Sequence, residues 1–291
     1  MNDYVIYCDV SGDVDEAVVR DGAIRFIEMD YSIGDEMRVC GGVKPEADVK
    51  AFYDAQRGNV LTKTSQVTPS TYVSVLGPCL KEGTSAMCIC LSSGLSSTYQ
   101  SACLAAEQLK DKYPQAEMIP VDSLAASGGL GILCERAAAN REKGMSLKDN
   151  AADVQALAHR LRHWFLVQDL EYLKRGGRVS AATALIGGLL NIKPILRING
   201  EGALTTEYKE RGYKAAARRI LQLFSEQYDA DSAERVYVIH ADAPDVAAHL
   251  LAEARRLFPQ ARFTTAMLSP IIGAHTGPNM AALVFVGKDA Q

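Results

Sequence analysis

One pattern repeats through the first half of the chain. A short apolar run ends in small polar residues, and a helical pattern follows. Residues 4–8 lead into Asp9 and Ser11, residues 60–61 into Thr64-Ser65-Gln66, residues 86–91 into SSGLSSTYQSA, and residues 116–121 into Asp122-Ser123. Each run is apolar on both alternations, as in strands covered on both faces. Strands alternating with helices imply parallel βαβ units. The pattern predicts an α/β chain whose N-terminal parallel-sheet α/β/α domain covers residues 1–162.

The helix after the serine cluster is the clearest, with Tyr99, Ala102, Cys103, Ala106, Leu109 and Tyr113 at helical spacing. Ser97 and Gln100 fit a capping box at its start. Further on, Ser127-Gly128-Gly129-Leu130-Gly131 lacks the dinucleotide-binding spacing, so its glycines read as close helix–sheet packing. Gly77-Pro78 is expected to interrupt a helix, because a proline ring clashes with the turn before it.

The second half, residues 163–291, reads as a C-terminal α+β domain with a partly antiparallel sheet. Strands are expected near 163–167, 192–198, 203–208, 235–241, 263–268 and 281–287, with Asn199-Gly200-Glu201-Gly202 as a hairpin turn. Residues 169–174 form a short helix stopped by Gly176-Gly177, and 213–228 an amphipathic one. The apolar stretch 181–190 is a candidate tunnel wall.

A length of 291 residues suits two domains. A net charge of −4 gives no bulk attraction to nucleic acid. The seven cysteines are odd in number and scattered, which argues against a disulfide framework. Cys88 and Cys90 imitate a metal motif but sit in an apolar run and read as small buried hydrophobes, so no metal site is expected. The N-terminus MNDYVIYCDV has no basic region followed by an apolar stretch, and no run is long enough to span a bilayer. A reducing, cytoplasmic compartment is expected, compatible with transient membrane contact.

Ligands of open parallel sheets bind beyond the carboxyl ends of the strands. Thr64, Ser65, Ser93, Ser96, Ser97 and Ser123 are expected along that edge, where hydroxyls and helix N-termini would hold an anion; capping alone explains any one of them. A serine hydrolase is the competing reading, with Ser93 or Ser96 as nucleophile, His275 as base and Asp122 as orienter, although the G-x-S-x-G frame is missing. Among the histidines, His275 stands out in GAHTGP. His159, His163 and His249 fall in helical or strand stretches without a chemical partner, and His240 ends a strand.

Thr64-Ser65-Gln66, LSSGLSSTYQSA, YLKRGGRVSAA, IKPIL and GAHTGP occur in this order along the chain. Together they resemble the DegV family of bacterial fatty-acid-binding proteins. The resemblance implies one long-chain fatty acid held between the two domains, with its carboxylate bound by Thr64 and Ser96 and with Ser93 and His275 close by. It implies no cofactor, no catalysis by the chain itself, and a partner fatty-acid kinase that makes the acyl phosphate for phospholipid metabolism. A surplus of basic residues between 168 and 220, ten Lys/Arg against five Asp/Glu, offers a docking surface for that kinase, with Arg175, Arg178 and Arg211 as candidates. The chain departs from the family pattern at Val67-Thr68 before Pro69, at Val10 between Asp9 and Ser11, at Ser97 and at Asn279.

Overall fold

The computed structural model describes residues 4–15, 22–42, 44–168, 170–179 and 191–291. The candidate tunnel wall at 181–190 lies outside them. Strands β1 (Tyr4–Asp9), β2 (Ile24–Ile27), β6 (Ser85–Cys90) and β7 (Met118–Asp122) form a parallel sheet in the order β2-β1-β6-β7. Cys88 and Cys90 are buried in its central strand. Around this sheet lie helices α2 (Pro69–Lys81), α3 (Thr98–Lys112), α4 (Gly128–Glu142) and α5 (Leu147–Ala158).

Thr64 does not belong to this sheet. Strands β3 (Met29–Ile33), β4 (Glu36–Cys40) and β5 (Thr62–Thr64) make a separate antiparallel sheet, ordered β4-β3-β5 and followed in sequence from β4 by helix α1 (Glu46–Arg57). The expectation of a parallel strand at residues 60–61 fails because a two-residue apolar run carries no directional information. Val60 and Leu61 remain exposed, and backbone pairing with Tyr31–Ile33 sets the orientation of the strand.

The second sheet has six strands in the order β10-β9-β8-β13-β11-β12. They are β8 (Leu161–Leu166), β9 (Ile192–Ile198), β10 (Leu204–Arg211), β11 (Val236–His240), β12 (Phe263–Met267) and β13 (Ala281–Val286). All pairings are antiparallel except β11 with β12. The expected boundary between 162 and 163 therefore falls inside β8, which begins at Leu161. Helices α6 (Glu171–Arg175), α7 (Tyr213–Gln227), α8 (Pro244–Leu257) and α9 (Pro270–Thr276) complete the domain.

Period-two alternation divides the faces of this sheet. Trp164, Leu166, Leu283 and Phe285 pack outward with Ile220 and Phe224 of α7. Phe165, Ala282 and Val284 face inward and join a core continuous with that of the first sheet.

Helix α2 runs through Pro78 rather than breaking there. The proline cannot donate to the Ser74 carbonyl, but both residues lie on the exposed side, where water can satisfy that carbonyl. Thr68 caps α2, its Oγ1 accepting the Thr71 N–H at 3.2 Å, with Pro69 in the first turn. The departure at Val67-Thr68 thus supplies the helix cap.

Helix α4 joins the two sheets through its glycines. A Cβ at Gly128 would lie 2.7 Å from the Tyr237 Cβ, and one at Gly131 2.8 Å from the Tyr237 ring and from the Asp13 carbonyl. A Cβ at Gly129 would overlap the His163 ring. Gly129→Ala is expected to destabilise by about 1–3 kcal/mol through overpacking. Gly77→Ala, whose Cβ would meet only ordinary contacts at 3.9 Å, is expected to be neutral or to stabilise by up to about 1 kcal/mol. Urea unfolding of the two variants checks the opposite signs.

Candidate functional site

The two sheets and the small antiparallel sheet enclose a cavity of about 210 Å³. Its polar end is formed by the 64–66 segment after β5, the serine loop after β6, and helix α9. Its apolar wall includes Leu95, Phe165, Ile198, Ile271, Ala282 and Val284. The serine loop is seated by backbone-to-backbone packing. Gly94 approaches Gly202 of the β9–β10 hairpin so closely that a Cβ would lie 2.6 Å from the Gly202 carbonyl, and Ser92 Oγ donates to that carbonyl at 2.7 Å.

Thr64 and His275 meet here, with Thr64 Oγ1 2.8 Å from His275 Nε2. The other ring nitrogen, Nδ1, has no hydrogen-bond partner among the described residues. It faces Gly176, where any Cβ would overlap it, so the small residue after YLKR makes room for the imidazole. Burial, reinforced by the Arg178 charge, pushes the His275 pKa down to about 4. The ring is therefore neutral at pH 7.

Ser96 also lines the cavity. Its Oγ accepts the Thr98 N–H at 3.2 Å and lies 2.9 Å from Thr98 Oγ1. Ser97, expected to cap α3 with Gln100, makes no side-chain cap. Its φ of −78° and ψ of 12° differ from the extended geometry that turns a cap hydroxyl back to the helix, and the Ser96 hydroxyl takes over that task. Ser93 is not among the lining residues; its N–H donates to Asp122 Oδ1 at 3.1 Å. The same oxygen accepts the Leu124 N–H, so Asp122 ties the serine loop to the loop that follows β7. Ser123 is buried and bonded to Ala125, also within its loop.

Arg178, expected on the docking surface, is exposed and also lines the cavity. Its guanidinium donates to the carbonyls of Leu95, at 3.1 Å, and Gly176. Arg175 is exposed with its guanidinium over the Tyr172 ring, and Arg211 is exposed at the end of β10. Ser65 and Gln66 line the cavity beside Thr64. Among the lining residues that the sequence does not single out as site residues are two polar ones, His163 and Ser127, beside Thr276 in α9. Their signals were the alternation of His163 with Phe165 and the position of Ser127 at the head of the glycine-rich helix. Ser127 sits at φ +55°. Its Oγ donates to Asp13 Oδ2 at 2.5 Å and its N–H to the Ser11 carbonyl at 3.0 Å, bonds that offset an uncommon backbone conformation.

The remaining departures fit the same backbone. Asn279 has φ +63°, a conformation that asparagine tolerates better than other non-glycine residues. Asp9 is buried and accepts from Leu91 N–H at 2.6 Å and Ser11 N–H at 3.1 Å. It ties the start of the serine loop to β1, with Val10 buried alongside.

A sequence profile described as "Uncharacterised protein, DegV family" matches residues 4–288. A DegV domain-containing protein of Clostridium perfringens is 32% identical over 291 residues, covering 100% of both chains. A solved structure titled as fatty acid binding of a DegV family protein from Thermus thermophilus superposes with a TM-score of 0.84 at 26% identity, covering 98% of this chain and 99% of that one. The Streptococcus pneumoniae Fatty Acid Kinase (Fak) B3 protein, loaded with linoleic acid, shares the fold with a TM-score of 0.83 at 18% identity, covering 98% and 99%.

The cavity histidines dictate a pH response. Burial holds His163 as well as His275 at about 4, against about 6.5 in an unfolded chain. Between these values the unfolded state binds more protons, so stability is full above pH 6.5 and is lost as pH falls toward 4. At pH 5 each histidine is expected to remove about 2 kcal/mol relative to pH 7. Urea unfolding of wild type and His275→Gln checks this, and the variant should lose less stability on acidification.

Proposed function

The chain belongs to the DegV family, and we propose that its cavity holds one long-chain fatty acid and presents the carboxylate to a partner fatty-acid kinase. The observation that carries this reading is the pairing of Thr64 and His275 at one end of a largely apolar cavity. A carboxylate there would accept from the Thr64 and Ser96 hydroxyls, with the His275 imidazole backing the Thr64 hydroxyl and the Arg178 cation at the same end. Each buried methylene contributes about 0.8 kcal/mol, against roughly 1.5–3 kcal/mol for a hydrogen bond to a charged group. The tail therefore dominates affinity, and the polar end fixes which way the acid faces. The Thermus thermophilus relative supports fatty-acid binding, and the Fak B3 likeness supports the kinase partner.

The same geometry disfavours hydrolysis. A serine nucleophile needs a base within hydrogen-bond reach and a group that orients the base. His275 Nε2 is engaged with Thr64, its Nδ1 has no hydrogen-bond partner among the described residues, and Asp122 Oδ1 is occupied by the backbone N–H groups of Ser93 and Leu124. A carrier of a reactive acyl phosphate is better served by hydroxyls that lack an activating base.

Binding to delipidated protein tests the head-group assignment. Thr64→Val preserves shape and is expected to weaken oleate binding about tenfold, as loss of one charge-assisted hydrogen bond requires. Unchanged affinity would remove Thr64 from the carboxylate site. Arg211→Ala tests the docking surface and is expected to slow acyl-phosphate formation by the kinase, with a shallower salt dependence and unchanged oleate affinity. Equal kinase rates at low salt would place docking elsewhere.

A further inference from the structure

The far end of the cavity contains a polar group that a plain acyl chain leaves unused. His163 is 4% exposed and lines the cavity. Among the described residues, neither ring nitrogen makes a hydrogen bond of normal geometry, although the Ala126 carbonyl lies near enough to offset slightly the effect of burial. The strand register gives the depth of this group. Met280, Ala282 and Val284 line the cavity in succession from the start of β13, which the chain enters from α9 and His275. His163 is the cross-strand partner of Val284, as Phe165 is of Ala282. Four residues of strand separate Met280 from Val284, a distance of about 13 Å. A polar group of the ligand meeting His163 would thus lie far down the acyl chain from the carboxylate.

A buried polar group without a good partner costs free energy that a hydrophobic residue of similar size avoids. A strand position flanked by Arg162 and Trp164 and facing Val284 would accept leucine or phenylalanine without changing the alternation of the sheet. Gly129 leaves room for the imidazole on its other side. We infer that the cavity is built for a fatty acid carrying a hydroxyl remote from its carboxylate, with the His163 imidazole as the hydroxyl's partner. A neutral imidazole offers one donor and one acceptor, and a hydroxyl can meet either. This inference rests on the fatty-acid reading above and specifies the class of acid.

Oleic and ricinoleic acids share chain length and double bond and differ by one mid-chain hydroxyl. Binding of each to delipidated wild type and to His163→Leu gives the test. Wild type is expected to bind ricinoleate at least as tightly as oleate. The affinity ratio of ricinoleate to oleate should fall about tenfold in His163→Leu, with oleate affinity maintained or improved. A ratio unchanged by the substitution, or wild-type exclusion of ricinoleate while oleate binds, would overturn the hydroxyl assignment and leave the fatty-acid reading standing. Failure of both acids to bind wild type would remove that reading itself. Imidazole ¹⁵N shifts of the wild-type protein provide a measurement independent of the folding of the variant. Ricinoleate should move the His163 signals well beyond any change caused by oleate, and equal shifts with both acids would count against the inference.

Discussion

Helix α4 approaches the second sheet with Gly128, Gly129 and Gly131 against Tyr237 and His163, and this approach sets the spacing of the two domains. Side chains at these positions would have to occupy space already filled by Tyr237, His163 and the Asp13 carbonyl. Because the helix sits this close, Ser127 at its head reaches both Asp13 of the first domain and the cavity wall. Asp13 in turn accepts from Lys44 Nζ and the Ser269 N–H, each at 3.2 Å, so one buried carboxylate connects the first domain to the segment leading into α9. The position of His275 follows from that connection.

The cavity that results is apolar along its length but carries imidazoles at both ends, His275 near the entrance of the serine loop and His163 at depth. Burial keeps both neutral at physiological pH. Neutral rings add hydrogen-bonding capacity without the desolvation cost of a buried charge. The exposed Arg178 at the same end as Thr64 and Ser96 provides positive charge where solvent can still reach it. Electrostatic attraction for an anion is thereby confined to one end, the polarity that the proposed orientation of a fatty acid relies on.

Much of this was legible in the sequence. The parallel sheet, the NGEG hairpin, the glycine packing of α4 and the meeting of Thr64, Ser96 and His275 all follow from local patterns or from the family resemblance. The placement of β5 did not, because three residues cannot declare their pairing partner. Ser97 has the right spacing to Gln100 for a cap, and only the dihedral angles reveal that the task falls to Ser96. His163 reads in the sequence as a residue without a chemical partner, and among the described residues no hydrogen bond of normal geometry reaches its ring. Its significance depends on the register with Val284, a long-range pairing that no local window contains. Arg178 reads as one more charge in a basic stretch until the short helix α6 and its Gly176-Gly177 stop turn it back toward Leu95.

The central claim is that this cavity holds a fatty acid in the protein as it is produced. Mass spectrometry of material extracted from purified, undelipidated protein tests it most directly. The account predicts a long-chain fatty acid at close to one molecule per chain, lost when the protein is delipidated and recovered on exposure to free acid. Recovery of a nucleotide or another polar metabolite in that stoichiometry, with no fatty acid, would contradict it.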